Sequence, residues 1–271
     1  MSVKLGIAPI AWSNDDMPEL GGDTPLEQCL SEASQAGFIG IESGGKFPKT
    51  SEELLPKLNE FKLNLCSGWY GANLRKNSIE EEKQSIQEQL KLFKDCNAPC
   101  IVFAEVFGSI QGDPDKKLST RPKMDLEESK NYYKKISEMG KYLEDEGMPL
   151  AYHHHMGTVI ESQKDTERLL ESTHDSVKLT LDTGHMLFAQ GDSKKILNDL
   201  KEPKGEYTIV ISGNTDQDKP IDLPPPKEII LEFCHLTDKK IVSRRSAIKT
   251  LADRYSVSSR EIYTLIEKEK K

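Results

Sequence analysis

Short apolar runs alternate with amphipathic segments along the first 200 residues of the chain. Six runs have the length and composition of strands, and a segment with helical spacing and a start signal follows each of them. Strand, helix and strand in regular succession predict βαβ units and a parallel sheet. The predicted strands are Val3–Trp12, Phe38–Ser43, Leu63–Tyr70, Pro99–Val106, Leu150–His155 and Val177–Asp182.

Two of the helical segments begin with a capping signal. Thr24 stands as an N-cap before Pro25 and a capping-box Glu27, and Ser78 with Glu81 repeats the box. Six units within 200 residues fit a barrel better than an open sheet. The first βα turn also lacks Gly-x-Gly-x-x-Gly, which argues against a dinucleotide fold. We therefore predict an α/β fold of the (β/α)8 TIM-barrel type.

The alternation ends near residue 200. Lys201–Gly205 is typical of a linker, Glu206–Ser212 of one more strand, and the chain from Lys227 onward of basic helices. Two of these, Ser246–Tyr255 and Ser258–Glu267, are spaced as a helix-turn-helix. Because no further βα units are visible, we expect a barrel truncated after six units.

The charge distribution supports a division into segments 1–200 and 201–271. Residues 201–271 hold 14 Lys+Arg and 12 Asp+Glu, a net charge of +2. Since the whole chain has a net charge of −8, the first 200 residues carry −10. Such a change of sign suggests segments of different origin.

The composition limits the class of protein. With 36% hydrophobic and 30% charged residues the chain is typical of globular domains, and no apolar run approaches the ~18 residues of a membrane span. Its start lacks the features of a signal peptide. The five cysteines form no CxxC pair and predict reduced thiols. We expect a cytoplasmic protein with no membrane contact.

Five of the six histidines lie between residues 153 and 185, four of them at predicted strand ends. Alternation along a strand places His153 and His155 on one face and His154 on the other. Asp182 and His185 end the next strand, ~4.8 Å away in a barrel. Imidazole and carboxylate groups together suit Mn, Co or Zn. The alternative is an incidental cluster of core or surface histidines.

A series of motifs resembles a known enzyme family, the inosose dehydratases. These belong to the sugar-phosphate isomerase/epimerase superfamily of metal-dependent TIM barrels, and the resemblance runs from residue 3 to about residue 197. The motifs that carry it are Ile7–Asp16, Glu19–Asp23, Lys46–Pro48, Ser109–Gly112, Tyr152–Thr158 and Leu181–His185.

The resemblance implies roles for individual residues. His153 and Asp182 align with the metal ligands of strands five and six. The implied catalytic residues are His155, His185, Glu105 and Lys46, and the implied substrate-binding residues are Asn14, Trp69 and His154. Trp69 and Trp12 could equally be barrel-mouth packing, and Asn14 and Lys46 could be solvated loop residues.

The resemblance also implies a reaction. The family eliminates water from 2-keto-myo-inositol to give a trihydroxycyclohexane-dione in inositol catabolism, with Mn²⁺ or Co²⁺ and an associated glutathione. A divalent ion would stabilise the enolate, while imidazoles take the α-proton and assist the departing hydroxide.

The family pattern is interrupted after Leu200, where its strand-seven His and strand-eight Glu ligands are missing. Cys234–Asp238 mimics the first, but it lies between helical patterns, so we interpret His235 as a decoy. The segment from Lys204 to Tyr263 instead resembles the C-terminal end of the small-subunit ribosomal RNA ribose 2′-O-methyltransferases, without their S-adenosylmethionine-binding part.

Three interpretations therefore stay open. The first is an active dehydratase whose missing strands are supplied by a partner chain, as in a homo-oligomer, or by the grafted segment. In the latter case Glu206–Ser212 would be a seventh strand with Asn214 or Asp216 near its end. The second is a catalytically impaired chimera or a related sugar isomerase/epimerase. The third is an RNA-binding protein that uses its basic tail.

Overall fold

The computed structural model describes most of the chain. The described residues are 4–113, 115–199, 225, 229–230, 233–234, 236–237, 243–255, 257 and 259–268. The predicted linker Lys201–Gly205, the strand Glu206–Ser212, Asn214, Asp216 and His235 lie outside them.

Six parallel strands form one sheet in the order of the sequence. All six predicted strands are confirmed, but the first is shorter than predicted, because Pro9–Ala11 forms a 3-10 helix. The strands are β1 Gly6–Ile7, β2 Gly40–Ser43, β3 Asn64–Ala72, β4 Ile101–Glu105, β5 Leu150–His153 and β6 Val177–Thr180.

Helices follow the strands as the pattern predicts. In the barrel segment they are α1 Leu26–Gln35, α2 Ser51–Glu60, α3 Ile79–Ser85, α4 Gln87–Asp95, α5 Leu126–Asp145, α6 Gln163–Ser172, α7 Thr183–Phe188 and α8 Ser193–Asp199, with a 3-10 helix at Leu118–Thr120. The predicted capping box of Ser78 and Glu81 is present. The Thr24 cap is wrong, since Pro25 occupies the N-cap position of α1 and no side chain caps that helix.

The main core lies between the helices and one face of the sheet. Ile41, Phe103 and Tyr152 from the strands are buried there with Leu30 of α1 and Tyr132 of α5. Because side chains alternate along a strand, the neighbours of these residues point to the opposite face. We call that opposite face the inner face; it corresponds to the interior of a barrel.

A β-bulge in β3 decides which of its residues reach the inner face. Ile41 pairs with Leu65 but Glu42 pairs with Ser67, so Cys66 is an extra residue in the ladder. Leu65 and Tyr70 are an odd number of positions apart, yet both are buried in the main core. The bulge resolves this conflict by reversing the alternation. It thereby places Ser67 and Trp69 on the inner face.

The described strands and helices form a curled half-barrel, so the predicted TIM-barrel class is confirmed. Contacts divide the chain into two compact units, Met1–Ser212 and Gly213–Lys271. In the second unit, helices α9 Arg244–Arg254 and α10 Ser259–Lys268 match the predicted helix pair to within two residues. Its small core consists of Ile229, Phe233, Ala247, Leu251, Ala252, Ile262 and Ile266. None of the described helices is both long and apolar enough to cross a membrane.

Candidate metal centre

Three potential metal donors converge at the C-terminal ends of β5 and β6. His153 is the last residue of β5, Asp182 follows β6, and His185 lies in the first turn of α7. Their ligand atoms all lie within 4.8 Å of one another. His153 Nε2 is 3.5 Å from Asp182 Oδ2, and both side chains are 13% exposed.

The spacing Asp-x-x-His has a local structural cause. Asp182 is the N-cap of α7, and its Oδ1 accepts a hydrogen bond from the backbone N–H of His185 at 2.8 Å. An N-cap carboxylate bonds the residue three positions on, so the cap itself brings Asp182 and His185 together. Asp182 Oδ2 is left to face His153.

The donor set fits a divalent metal ion. His153 Nε2 is buried and has no hydrogen-bond partner among the described residues. A buried polar atom without a partner is costly, and a cation would satisfy it. Two imidazoles and one carboxylate suit a borderline divalent metal, and catalytic sites commonly use three protein ligands with a position left open. His185, which the sequence analysis assigned to catalysis, thus lies among the potential ligands.

The protonation states of these groups also suit a cation. Burial alone would raise the pKa of Asp182, but His153 and the His185 backbone N–H outweigh it and hold that pKa well below its usual range. Burial, helped by the nearby His155, lowers the pKa of His185 to about 4. The imidazole of His185 is therefore neutral at pH 7, and its Nδ1 lies 3.5 Å from the backbone N–H of Met156, a long contact that a metal ion would replace.

His155 and Trp69 complete the cluster. The rings of His155 and His185 are 3.8 Å apart between centroids, and the Trp69 ring meets His153 and His155 edge-on at 5.4 and 5.5 Å. His155 Nδ1 is 2.8 Å from the carbonyl oxygen of Met156. A carbonyl only accepts, so Nδ1 carries the proton and Nε2 has a free lone pair. Burial lowers the pKa of His155 and keeps its ring neutral.

His154 is not part of this cluster, although the family resemblance implies a substrate-binding role for it. The side chain is completely buried, and its Nε2 accepts a hydrogen bond from the backbone N–H of Asp182 at 3.2 Å. Burial lowers its pKa to about 3. His154 is therefore a neutral imidazole that positions the backbone of Asp182.

Glu105 also lies away from the cluster. Strand alternation places it on the same face as Phe103, which is buried in the main core. Its carboxylate accepts hydrogen bonds from the backbone N–H groups of Phe107 and Arg75, at 3.1 and 3.3 Å. Burial raises its pKa to about 7, against the effect of those two bonds. These contacts hold the loops that follow β3 and β4.

Lys46 and Asn14 brace loops at the mouth of the half-barrel. Lys46 Nζ donates to the carbonyl oxygens of Gly21, Gly22 and Thr24, at 3.1, 2.8 and 2.5 Å, which uses all three donors of an ammonium group. Asn14 Oδ1 accepts from the backbone N–H groups of residues 16 and 17. The structure brings neither side chain into contact with the histidines among the hydrogen bonds and ring contacts of the described residues.

One inner-face carboxylate escaped the sequence analysis. Glu42 lies near the end of β2 and accepts a hydrogen bond from Ser67 Oγ. A carboxylate within a predicted strand, as at Glu42, was the sequence feature that could have indicated it. Only the register with β3 shows that it shares a face with Trp69.

A family model described as a xylose isomerase-like TIM barrel matches residues 30–219, more than half of the chain. The chain belongs to this family.

Two curated relatives are similar to this chain in sequence. The rhizopine catabolism protein MocC of Rhizobium meliloti is 41% identical over 192 residues, which are 71% of this chain and 59% of that protein. An inosose dehydratase of Mesomycoplasma hyopneumoniae (strain 7448) is 40% identical over 192 residues, 70% of this chain and 64% of that enzyme. The chain spans less than two thirds of the length of these relatives.

Solved structures agree on the fold. The 3-keto-D-glucoside 4-epimerase YcjR of E. coli superposes with a TM-score of 0.53 at 16% identity, over 79% of this chain and 84% of that one. The resemblance to inosose dehydratases within this xylose isomerase-like family is thus confirmed. The resemblance of the C-terminal segment to RNA methyltransferases stays a prediction.

Acid should destabilise the metal-free protein through its buried histidines. The folded-state pKa is about 3 for His154 and about 4 for His185, whereas an unfolded histidine titrates near 6.5. Below that value the unfolded chain binds more protons than the folded chain, so the free energy of unfolding decreases as the pH falls towards 4. Each histidine contributes a slope of at most about 1.4 kcal/mol per pH unit.

Urea unfolding in the presence of a chelator, at several values between about pH 7 and pH 4.5, measures this slope. His154→Gln is the matched variant, because its amide oxygen can still accept from Asp182 but cannot titrate. We expect a shallower slope in that variant. An unchanged slope would contradict the assignment of acid sensitivity to His154.

Proposed function

We propose that the protein is a metal-dependent dehydratase that removes water from 2-keto-myo-inositol or a closely related cyclic polyol ketone. The observation that carries the proposal is the group of His153, Asp182 and His185 beside a neutral His155. Forty per cent identity to an inosose dehydratase supports the choice of reaction.

His153, Asp182 and His185 would hold the divalent ion, for which we propose Mn²⁺ or Co²⁺. When bound, the ion supplies a Lewis acid that polarises the ketone and stabilises the negative charge that develops on its oxygen. The chain's own contribution is to fix the donors: the helix cap orients Asp182, and His154 holds its backbone.

His155 is the proposed base. Its Nδ1 is engaged by the Met156 carbonyl, so its Nε2 is the atom that takes the proton from the carbon beside the ketone. The C–H electron pair forms the new double bond to the next ring carbon. The bond between that carbon and its hydroxyl oxygen breaks, and hydroxide departs. The imidazolium can return its proton to the departing hydroxide, so that one water molecule leaves.

The remaining predicted residues have positioning roles in this proposal. Trp69 is 36% exposed and forms a wall of the site, against which the C–H face of a polyol ring can pack. Lys46 and Asn14 hold the loop after β1 in place. Glu105 holds the loops after β3 and β4.

The decisive experiment is a dehydration assay. Purified protein, stripped with a chelator and reloaded with Mn²⁺, Co²⁺ or Zn²⁺, is mixed with 2-keto-myo-inositol, with and without glutathione, and the dione absorbance is followed. We expect metal-dependent dione formation that is lost in His155→Ala and retained in His174→Ala, whose histidine contacts Ser176 outside the cluster.

Two outcomes would contradict the proposal. Fully metal-loaded protein that forms no dione is not a dehydratase of this substrate. Incorporation of solvent deuterium into a keto-sugar without loss of water would instead favour an isomerase or epimerase, the activity for which related TIM barrels are named.

A further inference from the structure

Glu42 places a carboxylate on the inner face, on the far side of Trp69 from the β6 end of the site. It pairs with Ser67 on β3, and Trp69 follows two residues later on the same face of that strand. The Trp69 ring in turn meets His153 and His155. Glu42, Trp69 and the histidine cluster therefore line one continuous surface.

The carboxylate of Glu42 is only partly hydrogen-bonded. Ser67 Oγ donates to Oε1, and Ser67 itself is 1% exposed. Among the described residues no other hydrogen bond to Glu42 is present, so its second carboxylate oxygen, Oε2, has no hydrogen-bond partner there. Barrel interiors are usually filled by bulky apolar side chains. A half-buried carboxylate with an open oxygen is unusual for packing and suited to binding.

The β-bulge is what builds this arrangement. If Cys66 were a regular member of the strand and not an extra residue, Ser67 would lie on the face of Leu65, towards the helices, and could not hold Glu42. Bulges often redirect side chains next to active sites. The bulge thus supplies Glu42 with its donor and the site with Trp69 in a single step.

We infer that Glu42, held by Ser67, binds ring hydroxyl groups of the substrate at the end remote from the metal donors. A carboxylate is acceptor-only when ionised, and hydroxyl groups on neighbouring carbons of a cyclic polyol are matching donors. The inference rests on the proposed function, since it assigns the polyol part of the same substrate. It makes Glu42 a determinant of specificity for polyhydroxylated rings over simple ketones.

Glu42→Gln tests this inference, because the amide keeps the size of the side chain and an acceptor for Ser67 but loses the charge. For the metal-loaded variant we expect KM for 2-keto-myo-inositol to rise about 10- to 100-fold with kcat changed less than about threefold, the pattern of lost uniform binding. Calorimetric Kd should rise equally. Metal stoichiometry and Tm should stay those of the wild type.

Glu53→Gln, on an exposed position of α2, is the matched control and should change none of these values. Monodeoxy keto-inositols give a second readout. For the analogue that lacks the bound hydroxyl, wild type and Glu42→Gln should bind equally well, whereas the other analogues should retain the difference.

The outcomes separate the two hypotheses. If the wild type binds 2-keto-myo-inositol and Glu42→Gln binds it equally, or loses kcat without a change in KM, the inference is overturned and the proposed function stands. If the metal-loaded wild type binds no keto-inositol at all, the proposed function falls and the inference falls with it.

Discussion

Asp182→Ala is expected to leave the purified protein without bound metal and to lower the rate of dehydration at least about a thousandfold, because a metal's electrostatic stabilisation is worth several kcal/mol. The substitution removes one of three potential ligands and the only carboxylate among them. It also removes the N-cap of α7, which positions His185. His153→Ala should have a similar effect on metal content. Elemental analysis of dialysed protein measures the stoichiometry, and the dione assay measures the rate.

Asp182→Asn separates the ligand role from the capping role. Asparagine is as good an N-cap as aspartate, so α7 should remain formed while the charge is lost. We expect a wild-type circular dichroism spectrum with little bound metal. Asp115→Asn, at an exposed loop position, should retain full metal content. A metal stoichiometry that is normal in both His153→Ala and Asp182→Ala would refute the ligand assignment.

The parts of the structure that depend on local patterns could be predicted from the sequence. The six strands are short apolar runs between helical segments, and each was located because apolar periodicity is a property of neighbouring residues. The grouping of His153, Asp182 and His185 follows in turn from the rule that parallel strands end at one edge of the sheet. The cap of Asp182 strengthens that grouping through a contact only three residues long.

The directions of individual side chains depended on information that the sequence does not contain locally. His154 and Glu105 lie at strand ends, as predicted, but their faces are set by alternation from Tyr152 and Phe103, which pack against the helices. Lys46 was expected at the reaction centre, and its three carbonyl partners belong to a loop more than twenty residues away. No periodicity encodes such loop contacts.

The bulge at Cys66 is the clearest example of this limit. The prediction of one strand over Leu63–Tyr70 is correct, but strict alternation within it would send Leu65 and Tyr70 to opposite faces. Both residues are apolar enough to be buried, and only the pairing with β2 shows where the extra residue lies. Sequence reasoning therefore placed Trp69 near the site through the family resemblance and not through the pattern.

The two compact units differ in what supports their assignment. The family assignment rests on the barrel segment, where the metal donors lie. Two predictions concern the basic C-terminal helices: an origin different from that of the barrel, and a contact with RNA. Their small apolar core explains why the helix pair forms, and it gives no information about a ligand.

Insertion of one alanine between Ser67 and Gly68 is expected to abolish the native fold of the half-barrel. The inserted residue reverses the alternation of everything after it in β3, whereas loss of the extra residue Cys66 would leave Leu65 and Tyr70 four positions apart and on one face. Tyr70 would leave the main core and lose its 2.7 Å hydrogen bond to the buried Glu82, and Trp69 would have to enter the helix layer. Losing one large buried aromatic costs about 3–5 kcal/mol, and the loss of one of the three hydrogen bonds to Glu82 adds to it, so the total approaches the whole stability of a typical domain.

Cys66→Ala is the control that makes the insertion interpretable. It keeps the residue count and the bulge, and it removes only a half-buried thiol, so a loss of about 1 kcal/mol or less is expected. Thermal unfolding followed by circular dichroism, together with metal content, should show a cooperative metal-binding protein for Cys66→Ala and neither property for the insertion. Because only the insertion changes the length of β3, that contrast isolates the register as the cause. An insertion variant that unfolds cooperatively near the wild-type temperature and still binds metal would show that the site does not depend on this register.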